Sequence, residues 1–287
     1  MLGNDALPKR RLGKTAVEVT ALGLGGEGLL RTWGRQQEAV DLIRRALELG
    51  ITYFDSAPAY AGSEDYHGDV WGTDPNARAR VFLCSKSASR TRDKAYQDLQ
   101  LTLQRMRTSH LDLWQVHDLR TEEEWAELKA PGGALEAFVE AKKQGLTRFI
   151  GITGHHDPYL LARAIREFDF DTVLLPVNVP EAALPGFLDE TIPAAQERDL
   201  GIVGMKVLGG GYFPRMQLPA SALIRFALAR PVSTIIVGCN DILELETNIK
   251  AAEAPPLSAE QEKILINTLR PYAKQAAYYR GPLLPAG

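Results

Sequence analysis

The segment 51-ITYFDSAPAYAGSE-64 sets a carboxylate, Asp55, a few residues ahead of a phenol, Tyr60, where an apolar run gives way to a loop. Two more apolar runs end in polar groups. Lys86 closes 81-VFLCSK-86, and His117 stands at the end of 111-LDLWQVHD-118. A buried ammonium and a buried carboxylate are costly apart, so Lys86 and Asp55 are expected to pair. An ordinary phenol, with a pKa near ~10, trades protons poorly at neutral pH. A neighbouring ammonium favours phenolate, so Lys86 is expected to pull Tyr60 downward while Asp55 holds the ammonium in place. A neutral His117 could donate a hydrogen bond to a substrate carbonyl. Together these residue types describe a proton-transfer site. No nucleophilic Ser or Cys motif and no metal-ligand spacing accompanies them, so electrons are expected from an organic cofactor and no metal is assigned.

Each residue has a plain structural reading by itself: Asp55 a loop cap, Lys86 a solvated strand end, Tyr60 a pocket lining, His117 a structural histidine. What gives them chemical meaning is the set of elements that must carry them. Short β-branched or apolar runs recur at 19–26, 51–56, 81–86, 111–118, 147–154, 172–178, 201–208 and 233–238. Their starts are roughly one strand–helix unit apart, and near-continuous apolar strands suit a parallel sheet covered by helices. Helical periodicity fills the intervals at 38–50, 93–105, 134–145, 158–168, 220–230 and 241–252. Asp241 is placed to cap the last of these. Eight such units predict a closed (β/α)8 TIM barrel, with an open doubly wound sheet as the alternative. In the barrel, Asp55, Lys86 and His117 end three successive strands and meet at one rim. The stretch 10–19 reads as a β-hairpin turning at Gly13 and capping the bottom. A helix over about 258–275 and an aromatic, Pro-rich tail are expected near the mouth. The whole chain, 1–287, reads as one barrel domain.

Composition excludes several classes. A net charge of −3 with scattered Lys and Arg argues against a nucleic-acid surface. Cys84 and Cys239 lie far apart without Cys or His neighbours, so neither a disulfide nor zinc is expected. No run approaches the roughly 18 apolar residues of a membrane span. A cytoplasmic, reduced, soluble protein is the expectation.

From 10-RRLGKTAVEVTALGLGG-26 through 239-CNDILELETN-248 the chain resembles the aldo-keto reductases. Asp55, Tyr60, Lys86 and His117 fall on that family's catalytic tetrad in order and context. The resemblance implies a (β/α)8 barrel and carbonyl reduction, with Tyr60 protonating the oxygen as hydride arrives from a nicotinamide. It also implies cofactor contacts at Gly25, Gly26, Thr153, Met205, Lys206 and Leu208, and an adenosine-phosphate site along Gly238, Cys239, Asn240, Glu244 and Asn248. Departures from the family are specific. Gly154 and Leu174 replace the usual amides at the carboxamide, leaving His155 or Asn178 to substitute. Met205 stands where an aromatic often stacks on the nicotinamide. Gly238 and Glu244 stand where NADP-selective relatives carry basic residues. NADP(H) is the expectation from the family, and the acid at Glu244 makes NAD(H) plausible. Trp33, Tyr212 and Phe213 are candidate substrate walls, with Leu29, Leu30, Trp71, Tyr278 and Tyr279 as further ones. The loop 119–133 is either a lid or a short helix. Two other functions fit the same barrel: a cofactor-sensing regulatory subunit, and an isomerase or epimerase using Tyr60 and Lys86 without redox change.

Overall fold

Apolar runs too short for helices become the staves of a barrel because helices on the outside and side chains within bury both of their faces. The computed structural model describes residues 7–281. Two strands, β1 (Lys9–Arg11) and β2 (Glu18–Thr20), form an antiparallel hairpin. The staves are β3 (Leu22–Gly28), β4 (Tyr53–Asp55), β5 (Phe82–Ser87), β6 (Leu111–Val116), β7 (Thr147–Thr153), β8 (Thr172–Pro176), β9 (Gly201–Met205) and β10 (Thr234–Cys239). All eight are parallel and close through β10 against β3. The helices are α1 (Gln36–Glu48), α2 (Ser63–Trp71), α3 (Pro75–Ala79), α4 (Arg92–Arg105), α5 (Glu122–Lys129), α6 (Ala134–Lys143) and α7 (Pro158–Glu167). They continue with α8 (Ile192–Glu197), α9 (Tyr212–Arg215), α10 (Ala220–Leu228), α11 (Ile242–Glu253), α12 (Ala259–Leu269) and α13 (Ala273–Ala276).

Strand alternation divides the core. Phe82 and Cys84 of β5 point inward and pack with Tyr53, Leu113, Leu174 and Val203 inside the barrel. Phe54, Leu83 and Trp114 point outward into the larger strand–helix layer. There Trp114 stacks on Phe138 of α6 with ring centres 3.7 Å apart. By the same alternation Asp55 and Lys86, two residues beyond Tyr53 and Cys84, face the interior at the rim.

The hairpin plugs the opposite end. Leu12 and Val19 enter the interior cluster, and Arg10 donates to the carbonyls of Val232 and Leu228. Gly13 has φ +50°, and a Cβ there would sit 2.2 Å from the Gly201 nitrogen. The C-terminal segment lies at the mouth: Tyr279 bonds Asn178 and Glu181 beyond the end of β8, and Arg280 pairs with Glu181. The 119–133 loop is a short helix, α5, capped by Thr121 and held by buried Trp125, rather than a lid. Helices α2, α3 and α8 were not expected. In α2 the buried side is built of Tyr66, His67, Val70 and Trp71 around Gly68, a set without a plain aliphatic period. Cys84 and Cys239 are both free and buried.

Candidate active site

The turn that carries Tyr60 is fixed from both ends. The Ser56 amide still donates to Cys84, continuing β4 for one residue, and the Tyr60 amide donates to Ala57 at 3.0 Å. The Ser63 amide then donates to Tyr60, opening α2, while the Gly62 amide donates to Thr32. The ring of Tyr60 lies against β3 at Gly26, where a Cβ would come within 2.6 Å of the ring. Gly26, expected to touch cofactor, is therefore first the bed of the phenol. Gly25 and Gly238 likewise serve close backbone approach, since Cβ atoms there would crowd Gly238 and Glu27.

Lys86 Nζ donates to Asp55 Oδ2 at 2.7 Å and to the Ser56 carbonyl at 2.8 Å. Both side chains are fully buried. The ammonium stands 4.7 Å from the centre of the Tyr60 ring. His117 meets the same ring edge-on at 5.8 Å. Four side chains from three staves and a loop thus converge at one rim.

Their electrostatics differ from expectation at one point. Burial alone would lower the Lys86 ammonium, but Asp55 and then Tyr60 outweigh it and hold it above its ordinary value. Burial raises Asp55, with the Lys86 charge and hydrogen bond opposing. The 2.7 Å contact is that of a buried ion pair. Burial drives His117 down to about 3, with Lys86 adding to the effect, so the imidazole is neutral. Tyr60, however, is raised: burial exceeds the opposing pull of Lys86. The expected lowering is corrected. The phenol stays protonated at neutral pH, which is the form a proton donor needs.

Around this cluster the other expected residues fall into three groups. Thr153, Met205, Lys206 and Leu208 line the C-terminal ends of β7 and β9. Thr153 Oγ1 accepts the Asp118 amide at 2.7 Å, leaving its own O–H to donate. Met205 and Leu208 are half-buried against the core. Lys206, at φ +59°, is lowered by burial, and its ammonium lies 5.8 Å from the Tyr279 ring. Of the two substitutes for the missing amides, Asn178 is committed, donating to the Lys206 carbonyl and to Tyr279. His155 remains at the rim, 3.2 Å from Asp118.

The segment from β10 into α11 forms the second group. The Glu244 carboxylate accepts the Asn240 backbone amide at 2.8 Å and its side-chain amide as well. Asp241 caps the helix by accepting from the Glu244 amide. Asn248 is buried and donates to Cys239 Sγ. Burial pushes the Cys239 thiol up to about 12.

The third group is corrected. Phe213 is fully buried with Leu223, Phe226 and Leu269, beneath the Gly209 turn, and forms no wall at the mouth. Leu29, Leu30 and Trp71 are also core residues, Trp71 stacking on His67. Trp33, 70% exposed, and Tyr212 remain on the surface. Large aromatics near a strand end do not announce whether they face a cleft or the adjacent helix.

One cluster at the rim was not singled out in the sequence. Asp118, His155 and His156 offer ligand atoms within 4.8 Å of one another. Asp118 already binds Arg120, and burial first, then Lys206 and Arg120, weigh against a further positive charge on His155. Adjacency of His117–Asp118 and His155–His156 at the ends of neighbouring staves was the signal available. A groove of about 650 Å³ beside Leu128, Leu135, Val139 and Phe168 shares no residue with this rim.

Comparison with known proteins agrees with the geometry. Residues 21–219 match the model described as the aldo/keto reductase family. An uncharacterized oxidoreductase of Bacillus subtilis, YqkF, is 26% identical over 94% of this chain and 98% of its own. L-galactose dehydrogenase of Arabidopsis thaliana is 25% identical over 89% of this chain and 91% of its own. The holo form of aldo-keto reductase AKR11C1 from Bacillus halodurans superposes with a TM-score of 0.74 at 22% identity, covering 96% of this chain and 98% of its own, a likeness of fold. The chain belongs to the aldo/keto reductase family, whose general activity is carbonyl reduction.

Proposed function

We propose that Tyr60 is the proton donor of a carbonyl reductase that accepts NADH as well as NADPH. The observation that carries the assignment is the convergence on one phenol of a paired, buried ammonium and a neutral imidazole. A bound dihydronicotinamide would supply hydride to the carbonyl carbon. Every other part belongs to the chain. Tyr60, protonated at neutral pH, gives its proton to the carbonyl oxygen. The Lys86 ammonium stabilises the phenolate left behind, and Asp55 keeps that ammonium charged and in place. His117 is neutral and can donate to the same oxygen, so two donors meet the charge that develops there. The hydroxyl of Thr153 and the ring of His155 stand at the rim where the carboxamide would be held, and Met205 offers a polarisable surface to the ring.

Support for NAD(H) comes from the start of α11. A 2′-phosphate would need free amides or a cation there. The Asn240 amide is instead taken by Glu244, itself an anion. A ribose hydroxyl could donate to that carboxylate. The lost charge-assisted contacts, about 1.5–3 kcal/mol, correspond to as much as a hundredfold. Substrate is read as a small aldehyde or ketone, and the unit as a cytoplasmic monomer. Steady-state loss of reduced-cofactor absorbance with a reactive aromatic aldehyde tests the reading. Turnover is expected, with kcat/KM for NADPH exceeding that for NADH by less than about a hundredfold. Tight cofactor binding without turnover, or isomerisation without cofactor oxidation, would contradict it.

A further inference from the structure

Between the apolar floor of the barrel and the rim lies a layer of buried polar atoms. Gln115 stands directly opposite Lys86 in the β5–β6 register. It is fully buried and shares the inward face with Leu113, whereas Trp114 and Val116 point outward. Neither its amide oxygen nor its amide nitrogen closes a hydrogen bond with a protein group. The same holds for Asp55 Oδ1 and the Tyr53 hydroxyl. An unmade bond in such a place costs free energy, and an apolar side chain would avoid the cost. The neighbouring strand makes room for the amide nonetheless. Gly151 pairs with Gln115 in register, and a Cβ there would come within 3.2 Å of Gln115 Cγ.

Asp55 is the charged group among these unpartnered atoms. Its Oδ2 serves Lys86, and its Oδ1 has no partner. The charged and titratable groups facing it are Lys86 and Cys84 of β5, Glu27 of β3, Tyr53 of its own strand and Tyr60 of the loop that follows. Burial keeps Cys84 and Tyr53 protonated. Gln115 is close enough to favour the charged carboxylate. Terminal amide torsions are broad, so the amide is free to turn toward Oδ1.

We propose that Gln115 is a positioning residue of the proton-donating site, its amide donating to Asp55 Oδ1 and so clamping Asp55 on the Lys86 ammonium. The inference rests on Tyr60 as proton donor. Tyr60 faces Lys86, Asp55, Glu27, Arg31 and His117. Lys86 is the group among these that most favours its phenolate. Without the amide, Asp55 holds the ammonium less firmly, the phenolate loses support, and Tyr60 binds its proton more tightly. In the reverse direction, alcohol oxidation, Tyr60 must accept a proton. The rise of that rate with pH then moves to higher pH.

The test compares the full chain with Gln115→Met, which keeps the volume and removes the amide, and with Gln115→Asn, which keeps an amide. Tyr60→Phe is measured in parallel. Gln115→Met is expected to lower kcat for aldehyde reduction about tenfold, within the range that supporting hydrogen-bond partners command elsewhere. The KM for cofactor stays within about twofold, a transition-state rather than a binding effect. Its alcohol-oxidation profile shifts up by at least about half a pH unit, and its thermal stability falls because Asp55 Oδ1 loses its donor. Gln115→Asn recovers part of the rate and of the shift, and this comparison with wild type stands by itself should the Met variant fail to fold. Wild-type kcat and profile in Gln115→Met would overturn the proposal. So would a fall in kcat with an unmoved profile, which would mark Gln115 as packing alone. An active Tyr60→Phe would instead remove the proton-donor assignment on which it stands, a failure separable from the other two.

Discussion

The Asp55–Lys86 pair is the residue-scale feature with the greatest consequence for the rest of the site. Both groups are buried to the last few per cent and joined at 2.7 Å. Neutralising one partner leaves an unpaired charge in a low-dielectric interior. Asp55→Asn is therefore expected to cost roughly 3–5 kcal/mol of stability as well as activity, read by urea unfolding. A loss below about 1 kcal/mol would mean the ammonium finds another counter-charge. Gly26→Ala tests the bed of the phenol. A methyl group at that position would meet the Tyr60 ring at 2.6 Å and the Asp55 carbonyl at 2.9 Å. The ring must shift, so kcat should fall by about tenfold or more, since small misplacements of reacting groups are expensive. Unchanged kcat would show that the ring position is not critical. The convergence of these four residues was legible in the sequence because Asp55, Lys86 and His117 end successive apolar runs and Tyr60 follows the first of them in the adjoining loop. The direction of the Tyr60 shift was not legible: it depends on how deeply the ring is covered, which the residues at 52–64 do not state.

At the scale of elements, the reactive rim and the stabilising floor are separable. Gly13 sits in the plug with its missing side chain pressed on Gly201 and Leu200. Gly13→Ala is expected to lower stability by about 1–3 kcal/mol through overpacking and a left-handed backbone. Its kcat well below the melting temperature should be unaltered, because the floor holds no chemistry. A matching loss of kcat would show that the plug and the rim are coupled. The strands and the longer helices were readable because period two and period 3.6 differ clearly over ten or more residues. The short helices α2 and α8 were not, since the buried face of α2 mixes glycine, an acid and aromatics and α8 is only six residues long. Phe213 and Trp71 were misplaced for a related reason. An aromatic next to a strand end packs equally well inward or outward, and only the path of the following helix decides.

At the scale of the whole molecule, burial lowers His110 and, much further, three other histidines. His67 and His117 lie at about 3, and His155 at about 4. Unfolded, each would take up a proton near ~6.5. Between those values the unfolded chain binds more protons, so stability is fully present above ~6.5 and is lost as pH falls toward 4 and then 3. Urea midpoints should decline across that window, and His67→Phe should flatten the decline, since His67 is the most deeply buried of the three. An unchanged decline in that variant would place the acid sensitivity elsewhere. Above the plug and within the helical ring, the account of this enzyme reduces to one proton on one oxygen. Its most direct test is stopped-flow reduction of an aromatic aldehyde by Tyr60→Phe preloaded with NADH. The account predicts cofactor binding within about twofold of wild type and a rate of cofactor oxidation lower by about 10²–10⁴. Oxidation at a rate near that of wild type would contradict it.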